Sequence, residues 1–201
     1  MRELLELVYL VFARPRAVFA RIREGVPWWW AVVVFCGVQA FGQSLGGLSL
    51  VGSQGLLGET LPGMPEDLFR HWWALSLPLA LGYWFVKAAV WHLLAEFLGG
   101  EGRSTNLFFC LGFASLPLVV GYAVAGLVRL AGGAYGLLAP GFWLLAGLWA
   151  LALEVMSVQE TYALSGGRAL MVVVLPIAAL AGLGLAALAA LGLEWSNLST
   201  P

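Results

Sequence analysis

Three ionisable side chains interrupt the apolar run VKAAVWHLLAEFLGG (86–100), namely Lys87, His92 and Glu96, and a fourth, Glu154, interrupts a later apolar run. Amines, imidazoles and carboxylates move protons, hold ions or pair with one another, and inside a bilayer such groups are candidate sites by default. Helical geometry decides which of them can meet. His92 and Glu96 are four apart and share a face, whereas Lys87 lies about 140° round from His92. Counting back from Gly99 at ~1.5 Å per residue puts Lys87 roughly 18 Å, His92 roughly 10 Å and Glu96 roughly 5 Å from one helix end. Only Lys87 is then near the midplane of a ~30 Å slab. A lysine there costs ~2.5–3.5 kcal/mol on insertion scales, so it must face protein or water. Trp84 and Trp91 share its face and could shield the ammonium by cation–π contact. Glu154 has a depth close to that of His92, so a His92–Glu154 contact is available, and a snorkelled Lys87 could reach the same carboxylate.

Two readings follow for Lys87, His92, Glu96 and Glu154. In one, the groups pair and fix which helices meet. In the other, they line a polar cavity that carries a proton or ion. Glu96, close to the interface and within reach of Arg103 or Arg168, belongs to the first. Metal binding by His92, Glu96 and Glu154 would need converging ligands, and no HExxH or paired-cysteine spacing supports it. No metal, cofactor or catalytic residue is expected, because nucleophile motifs and glycine-rich phosphate loops are also missing at recognisable spacings.

The 201 residues that hold these side chains are 61% hydrophobic and 10% charged, with mean hydropathy +0.90, well beyond what a soluble core requires. The chain reads as an all-α polytopic membrane protein. A net charge of −1 excludes a nucleic-acid partner, which needs a basic field. Cys36 and Cys110 fall in apolar runs, where thiols behave as small hydrophobes, and no disulfide is expected. Five segments reach the ~20 apolar residues of a spanning helix: about Trp28 to Leu48, Trp72 to Leu98, Leu107 to Leu130, Leu137 to Val158 and Ala169 to Leu193. Arg2, Arg14, Arg16, Arg21 and Arg23 precede the first, while Arg103 and Arg168 lie in loops on the same side. Arg70 and Arg129 fall on the other side, with Glu59, Glu66 and Asp67. The positive-inside rule then puts the N-terminus in the cytoplasm and the C-terminus outside. The expected organisation is residues 1–27 as a cytoplasmic interfacial helical segment, 28–195 as the five-span domain and 196–201 as an external tail.

The opening apolar stretch is followed by Arg14 and Arg16 rather than by a small-residue cleavage site, so it reads as retained. Pro15 suits the first turn of a helix in which Val18, Phe19 and Ile22 share a face. Arg14, Arg16, Arg21 and Arg23 bound that face, as expected of an amphipathic helix on anionic headgroups. The alternative is an arginine-flanked start to the first span that only sets topology. In either case Trp28, Trp29 and Trp30 sit at headgroup level. Pro65, Glu66 and Asp67 suggest that the second helix begins outside the bilayer. The last span carries Gly182, Gly184, Ala186, Ala187, Ala189, Ala190 and Gly192, small residues that suit packing inside the bundle or against another copy. SLPLALGY (76–83) and SLPLVVGY (115–122) share six of eight positions; chance or a shared kink motif explains the match more simply than an inverted repeat.

Three stretches, RPRAVFARIREGVPWWW, GGEGRSTNLFFCLGFASLP and ETYALSGGRALMVVVLP, occur in an order that resembles the Yip (Ypt-interacting protein) domain family of five-span membrane proteins. The likeness covers nearly the whole chain and is carried by Pro15, Phe19, Ile22, Gly99, Gly100, Pro117, Leu164, Ser165 and Arg168. For eukaryotic members the resemblance implies Rab-type GTPases, vesicle budding and Golgi membranes, with longer cytosolic N-terminal regions than the some twenty-five residues expected here. The alanine, leucine and arginine bias suggests a prokaryotic source and hence the inner membrane. The function expected is therefore a non-enzymatic module that organises membrane or recruits partners. Its expected partners are the bilayer, anionic lipids at the cytoplasmic face, a second copy, and a membrane or cytosolic protein. The rival is a transporter or channel for protons, small ions or small solutes along Lys87, His92 and Glu154.

Overall fold

The computed structural model describes residues 2–52, 72–131 and 138–198. Among them the elements are α1 (Arg2–Ala13), α2 (Pro15–Gly25), α3 (Trp28–Gly52), α4 (Trp72–Phe97), α5 (Ser104–Ala114), α6 (Pro117–Leu130), α7 (Ala139–Tyr162) and α8 (Gly166–Leu198). No strand occurs among the described residues. The fold is therefore all-α, as its composition implies.

Prolines stand at three of the breaks, and at two of them the residue before the proline is out of the helical region. Arg14, before Pro15, has φ −148° and ψ 70° and separates α1 from α2. Val26, before Pro27, is extended at φ −91° and ψ 144° and separates α2 from α3. At Pro117 the third apolar segment divides into α5 and α6. There Leu116, Leu118 and Val119 donate to carbonyls three residues back rather than four, and the Ser115 hydroxyl donates to Gly112 O. The same SLPL sequence around Pro78 stays inside the continuous α4. Pro78 is exposed and Pro117 buried, so one motif has two outcomes.

Four helices among the described residues are long and apolar enough to cross a membrane: Leu75–Phe97, Ser104–Val128, Ala139–Tyr162 and Gly166–Ala187. They expose large apolar side chains, among them Phe85 and Leu93 of α4, Leu144 and Leu148 of α7, and Leu180 and Leu183 of α8. Such a belt is unsuited to water and suited to lipid. The central element is α5, in which Leu107 and Cys110 through Ala114 are all buried. It packs on α3, α4 and α7, and more lightly on α1 and α2. Gly112 permits its approach to α3, since a Cβ there would lie 2.9 Å from the Ala31 carbonyl oxygen. Gly121 does the same between α6 and α7, where a Cβ would lie 2.5 Å from that of Ala146.

Two expectations are corrected here. Of the two placements expected for the small residues of α8, packing inside the bundle does not hold for Gly182, Gly184, Ala186 and Ala187: from Leu180 to Ala187 every residue is exposed, and nothing approaches a Cβ built at Gly182 or Gly184. The apolar face of α2 is not open to lipid either. Val18, Phe19 and Ile22 are 0–1% exposed, in a helix packed on α7 and α5. A helix start at Pro65, and the acidic loop with Glu59, Glu66, Asp67 and Arg70, lie outside the described residues.

Candidate functional site

Helices α4 and α7 touch through only a few residues, while both pack extensively on α5 and on α8. The narrow interval between α4 and α7 is crossed by polar side chains. Lys87 of α4 forms an ion pair with Glu154 of α7, and their side chains are only 17% and 14% exposed. Lys87 Nζ also lies 4.5 Å from the centre of the Trp91 ring, a cation–π contact that covers the ammonium. Ser157 donates its hydroxyl to Glu154 O, one turn back within α7. Charges removed from water are tolerable only when paired and covered in this way.

About one and a half turns nearer the Gly99 end, His92 Nδ1 lies 2.7 Å from the Tyr162 hydroxyl, and His92 Nε2 lies 3.5 Å from Glu96 Oε1. A neutral imidazole satisfies both contacts when the phenol donates to Nδ1 and Nε2–H faces the carboxylate. Glu96 is exposed and stands at the mouth of this line of contacts. The deep end is aromatic. Trp84, 2% exposed, is stacked between Phe35 at 4.3 Å and Phe108 at 3.8 Å, and its Nε1–H has no hydrogen-bond partner among the described residues.

The four intramembrane residues expected from the sequence thus line one interval but do not form one cluster. Lys87, not His92, takes Glu154, because α7 presents that carboxylate at the level of the lysine. Glu96 is met by His92 rather than by Arg103 or Arg168; Arg168 instead points to Leu98 O at 3.5 Å, over the last turn of α4. Of the two tryptophans expected around Lys87, only Trp91 covers it. Cys36 and Cys110 are free thiols. No group of three metal-ligating side chains occurs among the described residues. Tyr162 was missed because the fourth span was expected to end at Val158, before the polar Gln159, Glu160 and Thr161. The helix continues through them to Tyr162.

Gly99 and Gly100, named in the sequence, and Gly102, which was not, hold this arrangement from outside. Gly99 has φ +82°, a left-handed conformation that ends α4 with little strain only for glycine. A Cβ at Gly100 would lie 2.8 Å from that of Tyr162, and one at Gly102 would lie 2.5 Å from the Thr161 carbonyl oxygen. Glu101 N–H donates to Tyr162 O at 3.3 Å. The α4–α5 turn therefore lies directly on the end of α7 and fixes the tyrosine that reaches His92. Ser165 precedes α8, and its carbonyl accepts from Ala169 N–H at 3.0 Å.

The basic residues near the N-terminus mount α2 on the same end of the bundle. Arg16 Nε lies 3.9 Å from Glu160 Oε1, and Arg23 donates to Glu160 O at 3.1 Å. Arg21 donates to Glu6 of α1 at 2.9 Å, and that bond raises the pKa of a guanidinium already charged throughout the ordinary range. Arg14, Arg16, Arg21 and Arg23 are all exposed.

A family model described as the Yip1 domain matches residues 9–188 of the chain. No curated protein and no solved structure matches it.

Proposed function

The chain belongs to the Yip1 domain family of membrane proteins, and from that premise we propose that it is a non-enzymatic module that organises membrane or recruits partners at the cytoplasmic face of an inner membrane. Helix α3 is the first of five spans, the N-terminus is cytoplasmic and the C-terminus external. In support, Arg14, Arg16, Arg21, Arg23, Arg103 and Arg168 all belong to the Gly99–Ser165 end of the bundle, as the positive-inside rule requires of a cytoplasmic end.

The observation that carries this reading is the mounting of α2. Its apolar face is buried in the protein, so its exposed arginines form a fixed surface at headgroup level. The test is reconstitution of the full chain into liposomes with and without anionic lipid. Wild type is expected to change the vesicle size distribution only with anionic lipid, and replacement of Arg14, Arg16, Arg21 and Arg23 by glutamine is expected to abolish the change. Equal distributions for wild type and empty vesicles would sink the organising role.

A second reading, a path for protons, small ions or small solutes, is favoured by the contacts running from Glu96 through His92 and Tyr162 toward Lys87 and Glu154. The aromatic stack at Trp84 argues against a through path. With Cys36 and Cys110 replaced, Lys87→Cys is expected to resist an impermeant maleimide from both sides. Labelling from either side, together with a flux lost in Lys87→Met, would favour transport instead.

A further inference from the structure

We propose that α1 is embedded in the bilayer leaflet at the Gly99–Ser165 end of the bundle, with Leu5, Tyr9 and Phe12 against lipid acyl chains and Leu7 and Val11 against protein. From Leu7 to Ala13 the helix reads LVYLVFA, without a charge, and its apolar residues point all round. A helix that is apolar on every side needs apolar surroundings on every side. The protein supplies one of them. Leu7 and Val11 are 3% and 1% exposed, in a helix packed on α2 and α5. Leu5, Tyr9 and Phe12, at helical spacing on the opposite face, remain exposed, Tyr9 at 69%.

Depth identifies what covers that face. The Phe12 ring meets the Trp149 ring of α7 edge-on, with centroids 5.2 Å apart, and both rings stay exposed, so the contact belongs to the outer surface. Trp149 precedes Tyr162, the end of α7, by 13 residues, hence by roughly 20 Å of a helix long and apolar enough to cross a membrane. Within a ~30 Å hydrocarbon slab, a ring in contact with Trp149 stands among acyl chains, beyond the reach of a cytosolic protein. Chain geometry agrees. Arg16, four residues past Phe12, lies 3.9 Å from Glu160, close to the end of α7. Four residues extend at most about 14 Å, and the arginine and glutamate side chains cover what remains of the interval. Helix α1 therefore descends from its charged start, with Arg2, Glu3 and Glu6, to Phe12, and the chain climbs back through Arg14 and Pro15. Arg14 limits the depth, because its guanidinium must still reach headgroup level by snorkelling. The exposed stripe of Phe142, Leu145 and Trp149 on α7 continues at helical spacing to Leu153, which is buried. Beyond Trp149 the apolar outer surface passes instead to Phe12, Tyr9 and Leu5, so the face of α1 is continuous with the lipid-facing belt.

This embedding goes beyond the role proposed for the α2 arginines. It requires that α7 spans the bilayer, not that those arginines act or that a given side is cytoplasmic, so either reading can fail without the other. The test uses the full chain in liposomes, with Cys36 and Cys110 replaced and single cysteines carrying a nitroxide. Tyr9→Cys reads the face of α1, Leu183→Cys on α8 is the lipid reference, and Glu101→Cys in the α4–α5 turn is the water reference; all three positions are exposed, so the label displaces no packed side chain. Power saturation of the electron spin resonance compares collisions with oxygen, which concentrates among acyl chains, and with a water-soluble nickel chelate. We expect Tyr9→Cys to match Leu183→Cys within error, open to oxygen and protected from nickel. Nickel access at Tyr9→Cys equal to that at Glu101→Cys would overturn the embedding, since the face would then lie in water and be open to a soluble partner. Protection from both reagents would overturn it too, because protein would cover the face, and spin–spin broadening of the spectrum would identify that protein as a second copy.

Discussion

At the scale of single residues, the chain places its costliest groups where each has a partner. Lys87 and Glu154 are covered by protein and by the Trp91 ring. Removing one strands the other, so Lys87→Met should lower stability by ~3–5 kcal/mol, while Lys87→Met combined with Glu154→Leu should recover much of that loss. Thermal unfolding in detergent across the double-mutant cycle checks this. A cycle additive within error would mean that the pair does not form. The His92–Tyr162 contact is worth less, about 0.6 kcal/mol and at most about 1.7, as for interhelical hydrogen bonds in membranes. Ala163 is a different case, because it ends α7 with φ +53°, a conformation that costs a non-glycine residue energy. Ala163→Gly should therefore stabilise by up to about 1 kcal/mol, read as a rise in Tm, with no change at His92.

At the scale of elements, close approach of backbones matters more than surface charge. The α4–α5 turn rests on α7 because Gly100 and Gly102 have no side chains. Gly102→Ala, with its Cβ 2.5 Å from the Thr161 carbonyl oxygen, should destabilise by about 1–3 kcal/mol. Gly167, in the first turn of α8 with nothing within 4 Å of a Cβ, supplies the contrast. Gly167→Ala should be neutral or stabilising by up to about 1 kcal/mol through helix propensity. The same logic ranks the forces on α2. Phe19 is 1% exposed, and Phe19→Ala should cost about 3–5 kcal/mol. Glu6→Gln, which removes an exposed ion pair with Arg21, should leave the unfolding temperature unchanged. If those two variants were equally destabilised, α2 would be held by charge rather than by burial.

At the scale of the whole molecule, a central α5 organises its neighbours so that α4 and α7 face one another across a narrow interval bridged by side chains. The line from Glu96 to Lys87 ends against the Phe35–Trp84–Phe108 stack, which brings together residues of three helices. For that reason liposomes loaded with a pH-sensitive dye are expected to show no proton flux above that of empty vesicles. Much of this architecture was legible in the sequence because its causes are local. Apolar length marked the membrane-crossing helices and Pro15 marked the first turn of α2, whereas Gly99 entered among the residues of the family resemblance and not through its backbone conformation. The order of the family stretches was legible too, and the Yip1 domain match covers them. What the tertiary structure alone decided was pairing. A depth count could not choose between Lys87 and His92 as the partner of Glu154, because that choice depends on how α7 is rotated and on its running on to Tyr162. Nor could amphipathic spacing say whether Val18, Phe19 and Ile22 meet lipid or protein. Both are apolar, so the pattern along α2 is the same for either, and only the position of α7 and α5 beneath it distinguishes them.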